Sequence, residues 1–427
     1  MSRLLTNRLR VAGVALLFFV DLLFTSSLRA TPMSDGSLEQ NSKFLDAKTL
    51  KFIQDLLAIP TGSKLISEQQ AARNRIIQEF ADLNITPRII DGDQSRKILV
   101  FDRDQKPGKI LLIGHIDTVF GNQASEMSLK DGKIAGLGVI DMKGGIALIH
   151  KVLQEISGPP GSDALENIRV VLNDDEEIGS PGSRVVLKQL AQDAKAILIY
   201  EPGLPGGSVI TAQAGVQWLK LTVHGRAAHA GLEPENGLNA CLELAHKIIK
   251  IAKLNQYSRH LTVNPGVIEG GSVPNTVCEK ASVIIDVRYL NPSDLDSVVK
   301  KISRIQNTHS IHNRVLNIAP TADVTTLVSL PPLPEQSTHS LFGELVNAGN
   351  SIHQNVRSES VGYASDGNHL ASLGYPILVG LGPFGGGMHS ASEFMTVESF
   401  DQRVELSAAL LKRLLGRTLP GRQTQKR

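Results

Sequence analysis

Two kinds of apolar patterning divide the chain. Short uninterrupted apolar runs of strand length occur at Ile98 to Phe101, Ile110 to Ile113, Ile168 to Leu172 and Ile197 to Tyr200. Runs without polar alternation suit strands buried on both faces, as in a parallel sheet. Between them lie stretches with helical spacing: Leu45 to Ile59, Glu68 to Leu83, about Gly145 to Glu155 and about Gly182 to Leu190. Strand and helix in alternation predict a mostly parallel sheet flanked by helices, whose functional groups gather at the carboxyl ends of the strands. The texture changes near Gln213. Val216 to Val223 and Ser282 to Tyr289 alternate, as half-exposed strands do, and Leu238 to Leu254 and Asp294 to Ile305 read as amphipathic helices. An α+β unit with one open sheet face is expected at 213–325. The first texture then returns, with a helix at 340–350, a strand at Ile377 to Leu381 and a closing helix at 398–415. The expected fold class is therefore α/β. A large domain, 31–212 and 326–415, is interrupted by the inserted α+β domain, and a basic tail follows at 416–427.

Composition narrows the field a little. The chain has 427 residues, 41% of them apolar, and a formal net charge of +2, which gives no reason to expect a nucleic-acid partner. Its two cysteines, Cys241 and Cys278, show no CxxC or zinc-ribbon spacing and are expected to be small buried apolar residues without a bridge. Residues 1–30 combine basic Arg3, Arg8 and Arg10, an apolar stretch from Val11 to Phe24, and small residues near Ala30. This is the pattern of a signal peptide, and of an amino-terminal membrane anchor if it is not cleaved. A periplasmic or secreted location is expected.

The chemistry concentrates where strands end. Ile110 to Ile113 runs into Gly114-His115-Ile116-Asp117, and a period of two puts His115 and Asp117 on one side of the chain. A neutral imidazole can ligate a metal while a carboxylate holds its other nitrogen. Glu176 and Glu177 lie in an acidic run directly after Ile168 to Leu172, costly to assemble unless a cation offsets it. Taken singly, each has a plainer reading: a structural histidine, a solvated acidic turn, a helix cap for Asp141, an incidental His389 in a glycine-rich loop.

Together the stretches resemble a family. Gly114-His-Ile-Asp-Thr-Val119, Gly136-Leu-Gly-Val-Ile-Asp-Met-Lys-Gly-Gly145, Asp175-Glu-Glu-Ile-Gly-Ser180, Glu201-Pro202, Gly225-Arg-Ala-Ala-His-Ala-Gly231, Ser365-Asp-Gly-Asn368 and Gly385-Gly-Gly-Met-His389 occur in the order found in certain zinc-dependent amidohydrolases. These include glutamate carboxypeptidase, acetylornithine deacetylase, succinyl-diaminopimelate desuccinylase and aminoacylase. The resemblance covers about residues 45–415 and is closest to glutamate carboxypeptidase. It implies two zinc ions, with Asp141 bridging, His115 and Glu201 completing one site, and Glu177 and His389 the other. Asp117 would orient His115, and Glu176 would be the general base. The inserted domain would serve as lid and homodimer interface, with His229 stabilising the oxyanion in the other subunit's site. Asn275 and Arg288 resemble the residues that hold the substrate carboxylate. Without the resemblance they read as a turn former and a surface strand residue.

The implied activity is release of an amino acid with a free carboxylate from a small peptide or acyl-amino acid. The alternatives are an N-acyl amino-acid deacylase and, outside catalysis, a binding protein on the same scaffold. Two departures bear on specificity: Ala212-Gln213-Ala214-Gly215, where the family often has a basic residue, and Gly362-Tyr-Ala364. His224, His260 and His369 read as structural or surface histidines.

Overall fold

The computed structural model describes residues 42–158 and 164–416. The expected signal segment at 1–30 and nearly all of the basic tail lie outside the described residues. The central sheet has eight strands, in the order Thr86–Asp91, Lys97–Asp102, Ile168–Asn173, Ile110–His115, Ala196–Ile199, Ile377–Val379, Val209–Gln213 and Ser358–Val361. Its middle four strands are parallel. Three of the uninterrupted apolar runs lie here, whereas the fourth, Ile98 to Phe101, lies in a strand antiparallel to both its neighbours, and the reason for the runs is visible in their packing. Leu112, Val170, Leu172 and Leu198 face a core with Phe52, Leu56, Leu148, Val152, Val404 and Leu411 from three helices, Ala47–Leu57, Gly144–Ser157 and Val397–Leu415. Leu111, Ile113, Val171, Ile197 and Ile199 face the other side, against Leu187 and Leu370. Neither face meets water, so no polar alternation is needed.

The inserted unit is an antiparallel sheet ordered Thr262–Gly270, Lys280–Tyr289, Gly215–His224 and Thr321–Leu330. One face, with Leu219, Leu221, Val223, Val283, Ile285 and Val287, is covered by the helices Ala240–Ala252 and Pro292–Gln306. The other face is open, as the alternation predicts. Its two outer strands carry no clear apolar alternation because they are largely exposed, and the last of them continues to Leu330. A third, small sheet joins Gly385–Gly386 and Phe394–Thr396 to Lys133–Ala135 and Ser128–Lys130. It holds the glycine-rich segment near the front of the central sheet.

The cysteine expectation is corrected. Cys241 and Cys278 form a disulfide, with Cα atoms 5.7 Å apart. Cys278 is buried, as expected, but the first turn of the helix Ala240–Ala252 lies directly on the segment before Lys280–Tyr289, and the Ala240 N–H donates to the Cys278 carbonyl at 2.7 Å. A pairing made by tertiary contact leaves no trace in sequence spacing.

Candidate active site

His115 ends its strand fully buried, and its two nitrogens face different partners. Nε2 is 3.0 Å from one oxygen of Asp141 and 3.8 Å from Glu201. Nδ1 lies 3.0 Å from the Asp117 carbonyl oxygen and 3.4 Å from its carboxylate. The Asp117 carboxylate accepts the N–H groups of Glu176 and Glu177 at 3.0 and 3.1 Å and the Ser63 hydroxyl at 2.7 Å. The second oxygen of Asp141 is 3.1 Å from His389 Nε2, which is 3.5 Å from Glu177. Glu393 supports Asp141 from behind by accepting the N–H groups of Ile140 and Asp141 at 2.9 and 3.2 Å.

Asp141 thus stands between the two histidines. Ligating atoms of His115, Asp141 and Glu177 lie within 4.8 Å of one another, as do those of His115, Glu176 and Glu201. Nitrogen and carboxylate oxygen at this separation form a donor set suited to a borderline divalent cation. One oxygen of Glu177 is buried with no hydrogen-bond partner, an orphan that a cation would satisfy.

The electrostatics agree. Burial pushes Glu176 and Glu177 well above the ordinary carboxylate range, and Glu201 and Asp141 respectively push them further. Glu201 is pushed up to about 8 by burial and then by Asp141. For His115, burial works toward the neutral form, but hydrogen bonds to Asp117 and Asp141 override it and raise the imidazole. Asp141, with burial opposing, is held low by His115 and His389. So many carboxylates crowded around two imidazoles are stable together only if positive charge offsets them.

The acidic run is not a solvated turn. Asn173 donates to Ser180, Ser183 and Asp366. Asp174 forms a buried ion pair with Arg73 at 2.9 Å. Asp175 accepts the Ser183 hydroxyl and the Gly182 N–H. Only Glu176 and Glu177 of this run line the cleft.

That cleft has a volume of about 250 Å³ and also includes His389, Arg288, Trp218 and Tyr363. A larger groove of about 610 Å³, bordered by Lys43, Glu405 and Arg413, carries none of the predicted residues. Arg288 therefore joins the site from the inserted sheet. His229 and Asn275 do not line this chain's cleft. They sit side by side on exposed loops, where the Ala230 N–H donates to the Asn275 carbonyl at 2.9 Å. Among the histidines read as structural, His224 pairs with Asp323 at 2.7 Å, and His369 lies 3.0 Å from the Gly179 carbonyl.

The Ser365-Asp-Gly-Asn368 stretch binds both connections to the inserted sheet. The Asn368 amide nitrogen donates to the carbonyls of Ala214 and Pro331, at 3.0 and 2.8 Å, on both crossings between the two sheets. Gln213, in the stretch that departs from the family pattern, is buried and accepts the Ser365 hydroxyl at 2.9 Å. It serves the chain crossing into the inserted sheet and does not line the cleft. Sequence reasoning missed Ser63, Glu393 and Trp218. Glu393, four positions after His389, stood close to a recognised motif, whereas Ser63 and Trp218 carried no local signal.

This is the geometry of a metallohydrolase centre at the edge of an α/β sheet. The model of the peptidase family M20/M25/M40 matches residues 111–413, and the chain belongs to that family. It is an enzyme, a metal-dependent hydrolase of a peptidase family that acts on small peptide substrates. Carboxypeptidase G2 of Pseudomonas sp. (strain RS-16) is 26% identical over 404 residues, covering 91% of this chain and 94% of that protein. Acetylornithine deacetylase of Vibrio campbellii (strain ATCC BAA-1116) is 25% identical over 355 residues, covering 78% of this chain and 89% of the relative. Among solved structures, an M20 family metallo-carboxypeptidase from Sulfolobus solfataricus aligns with a TM-score of 0.67 at 13% identity, over 87% of this chain and 100% of that one. A Bacillus subtilis protein described as a dinuclear metal-binding peptidase of the M20 family aligns at 0.62 and 14% identity, over 86% and 98%.

Proposed function

We propose that the protein is an exopeptidase of the glutamate carboxypeptidase type, cleaving the amide bond to an amino acid with a free carboxylate and using two zinc ions. His115, Asp141 and Glu201 would hold one ion, and Asp141, Glu177 and His389 the other. Bound there, the pair would polarise the scissile carbonyl and acidify the attacking water. The remaining steps belong to side chains. Glu176, buried beside Glu201 and pushed well above the ordinary carboxylate range, would accept the proton of the attacking water and deliver it to the leaving amine. Asp117 holds the Glu176–Glu177 turn and the His115 ring together. His229 would serve the oxyanion in the partner's cleft of a homodimer made through the inserted unit.

One observation carries the reading: Arg288 lines the same cleft as Glu176, Glu177 and His389. Its Nε is tied to Asp286, and its terminal nitrogens make no hydrogen bond among the described residues. A guanidinium fork left open beside a hydrolytic centre suits a carboxylate. The second reading, an N-acyl amino-acid deacylase, is supported by the acetylornithine deacetylase relatives and would use the same centre. Export to an oxidising compartment is part of the proposal, supported by the Cys241–Cys278 disulfide.

The test is hydrolysis of peptidyl- and acyl-amino acids by the zinc-loaded protein, with and without chelator. Chelator-sensitive release from peptidyl substrates supports the exopeptidase, and a preference for small acyl groups moves it to the deacylases. Arg288→Ala should lower kcat/KM by about 10- to 100-fold for free carboxylates and much less for amidated substrates. Equal losses on both would sink the carboxylate assignment.

A further inference from the structure

The open face of the inserted sheet carries an ordered patch, of which carboxylate recognition uses Arg288 alone. Trp218 stands opposite both Asp286 and Val328, and Val216 opposite both Arg288 and Leu330. Leu219, Leu221 and Ile285 point into the sheet's own core. These six residues therefore project together from the other face. All except Asp286 line the cleft. Trp218 is 40% exposed, a large indole left uncovered at the wall of a hydrolytic site.

One carboxylate organises the patch. Asp286 accepts the Trp218 indole N–H at 3.1 Å and the Arg288 Nε–H at 2.8 and 3.0 Å. Indole and guanidinium are thereby fixed relative to each other. Trp218 lies on the strand beside Arg288 and diagonal to it, opposite Asp286, a separation of roughly 7–8 Å that the side chain of a leucine or phenylalanine held by its α-carboxylate can bridge. A carboxylate on Arg288 thus brings the same amino acid's side chain onto Trp218, Val328 and Leu330.

Charge decides what that side chain is. Among the described residues lining the cleft, Arg288 is the only lysine or arginine. Lys220, one row further out on the same face, does not line it. A glutamate side chain would bring a second carboxylate to the apolar wall of Trp218, Val328 and Leu330, where no second lysine or arginine meets it, and desolvating it there is costly. We propose that Trp218, positioned by Asp286, is the specificity surface for the released amino acid. The preferred substrates then carry a large apolar carboxy-terminal residue, of the leucine or phenylalanine class, rather than glutamate. This rests on the exopeptidase reading.

Trp218 is the chain's only tryptophan, so binding can be read without turnover. Leucine or glutamate is titrated into the zinc-loaded protein while tryptophan emission is followed. Leucine should shift emission to the blue, and glutamate should leave it unchanged at the same concentration. Asp286→Ala should weaken the leucine response several-fold. In turnover, acyl-leucine and acyl-phenylalanine should exceed acyl-glutamate by about tenfold or more in kcat/KM, as burial of such a side chain allows. Trp218→Ala should erase that gap mainly through KM, with acyl-leucine losing far more than acyl-glycine, and Trp218→Phe should keep most of it. A preference for glutamate, an emission shift equal for both amino acids, or a Trp218→Ala loss shared equally by acyl-glycine overturns this inference and leaves the exopeptidase reading standing. No hydrolysis of any substrate, with no emission change, overturns both.

Discussion

The Glu176 N–H donates to the Asp117 carboxylate at 3.0 Å, and that carboxylate also lies 3.4 Å from His115 Nδ1. One buried side chain therefore sets the position of an expected base and of an expected metal ligand. Asp117→Ala should lower metal affinity by about 10- to 100-fold and reduce turnover even when metal is saturating, because the Glu176–Glu177 turn loses its anchor. Metal titration followed by kinetics at saturation checks this. Full recovery of turnover with excess metal would leave Asp117 as a ligand support alone.

Glu176 separates metal binding from proton transfer. Glu176→Gln keeps the shape and should retain two metal ions per chain while kcat falls by about 10²- to 10⁴-fold. Metal analysis and rate are measured on the same sample. A parallel loss of metal would make Glu176 a ligand, a result that its closeness to His115 and Glu201 makes worth testing.

His369 should shape the acid limb of stability. Burial lowers its pKa to about 4, against an ordinary value of 6.5. The folded state thus resists protonation that the unfolded state accepts. The contribution is fully present above about pH 6.5 and is lost as pH falls toward 4, amounting to at most about 3 kcal/mol. Urea unfolding across this range should give a shallower slope for His369→Gln than for the parent. Parallel slopes would assign the acid loss to other groups.

The disulfide closes a loop across the inserted unit, with a sequence separation of 37. In the chain-entropy description such a link contributes up to about 4 kcal/mol. Thiol titration of the unfolded, unreduced protein should find no free thiol, and reduction should lower the melting temperature. Two free thiols in protein from an oxidising preparation would contradict the bridge.

Several features were legible in advance for a physical reason. The strand Ile110–His115 is buried on both faces, so its apolar run is dense, and it ends at a residue whose chemistry is unusual in a core. The open sheet face was legible because Gly215–His224 and Lys280–Tyr289 each have one wet side. Thr321–Leu330 was not, since an outer strand with little burial needs no apolar face. Glu176 and Glu177 stood out as a pair, but the sequence could not separate them from Asp174 and Asp175, which are held by Arg73 and by the Ser183 turn.

What the sequence determined by itself was the α/β alternation, the inserted α+β unit with its open sheet face and the set of residues able to meet at strand ends. Those follow from local periodicity and side-chain chemistry, which each segment carries alone. Only the tertiary structure decided that Cys241 meets Cys278, that Asn368 ties both crossings between the sheets, and that Asp286 holds Trp218 beside Arg288. Each is a contact between segments distant along the chain or on neighbouring strands. Register and packing, not local propensity, set such contacts.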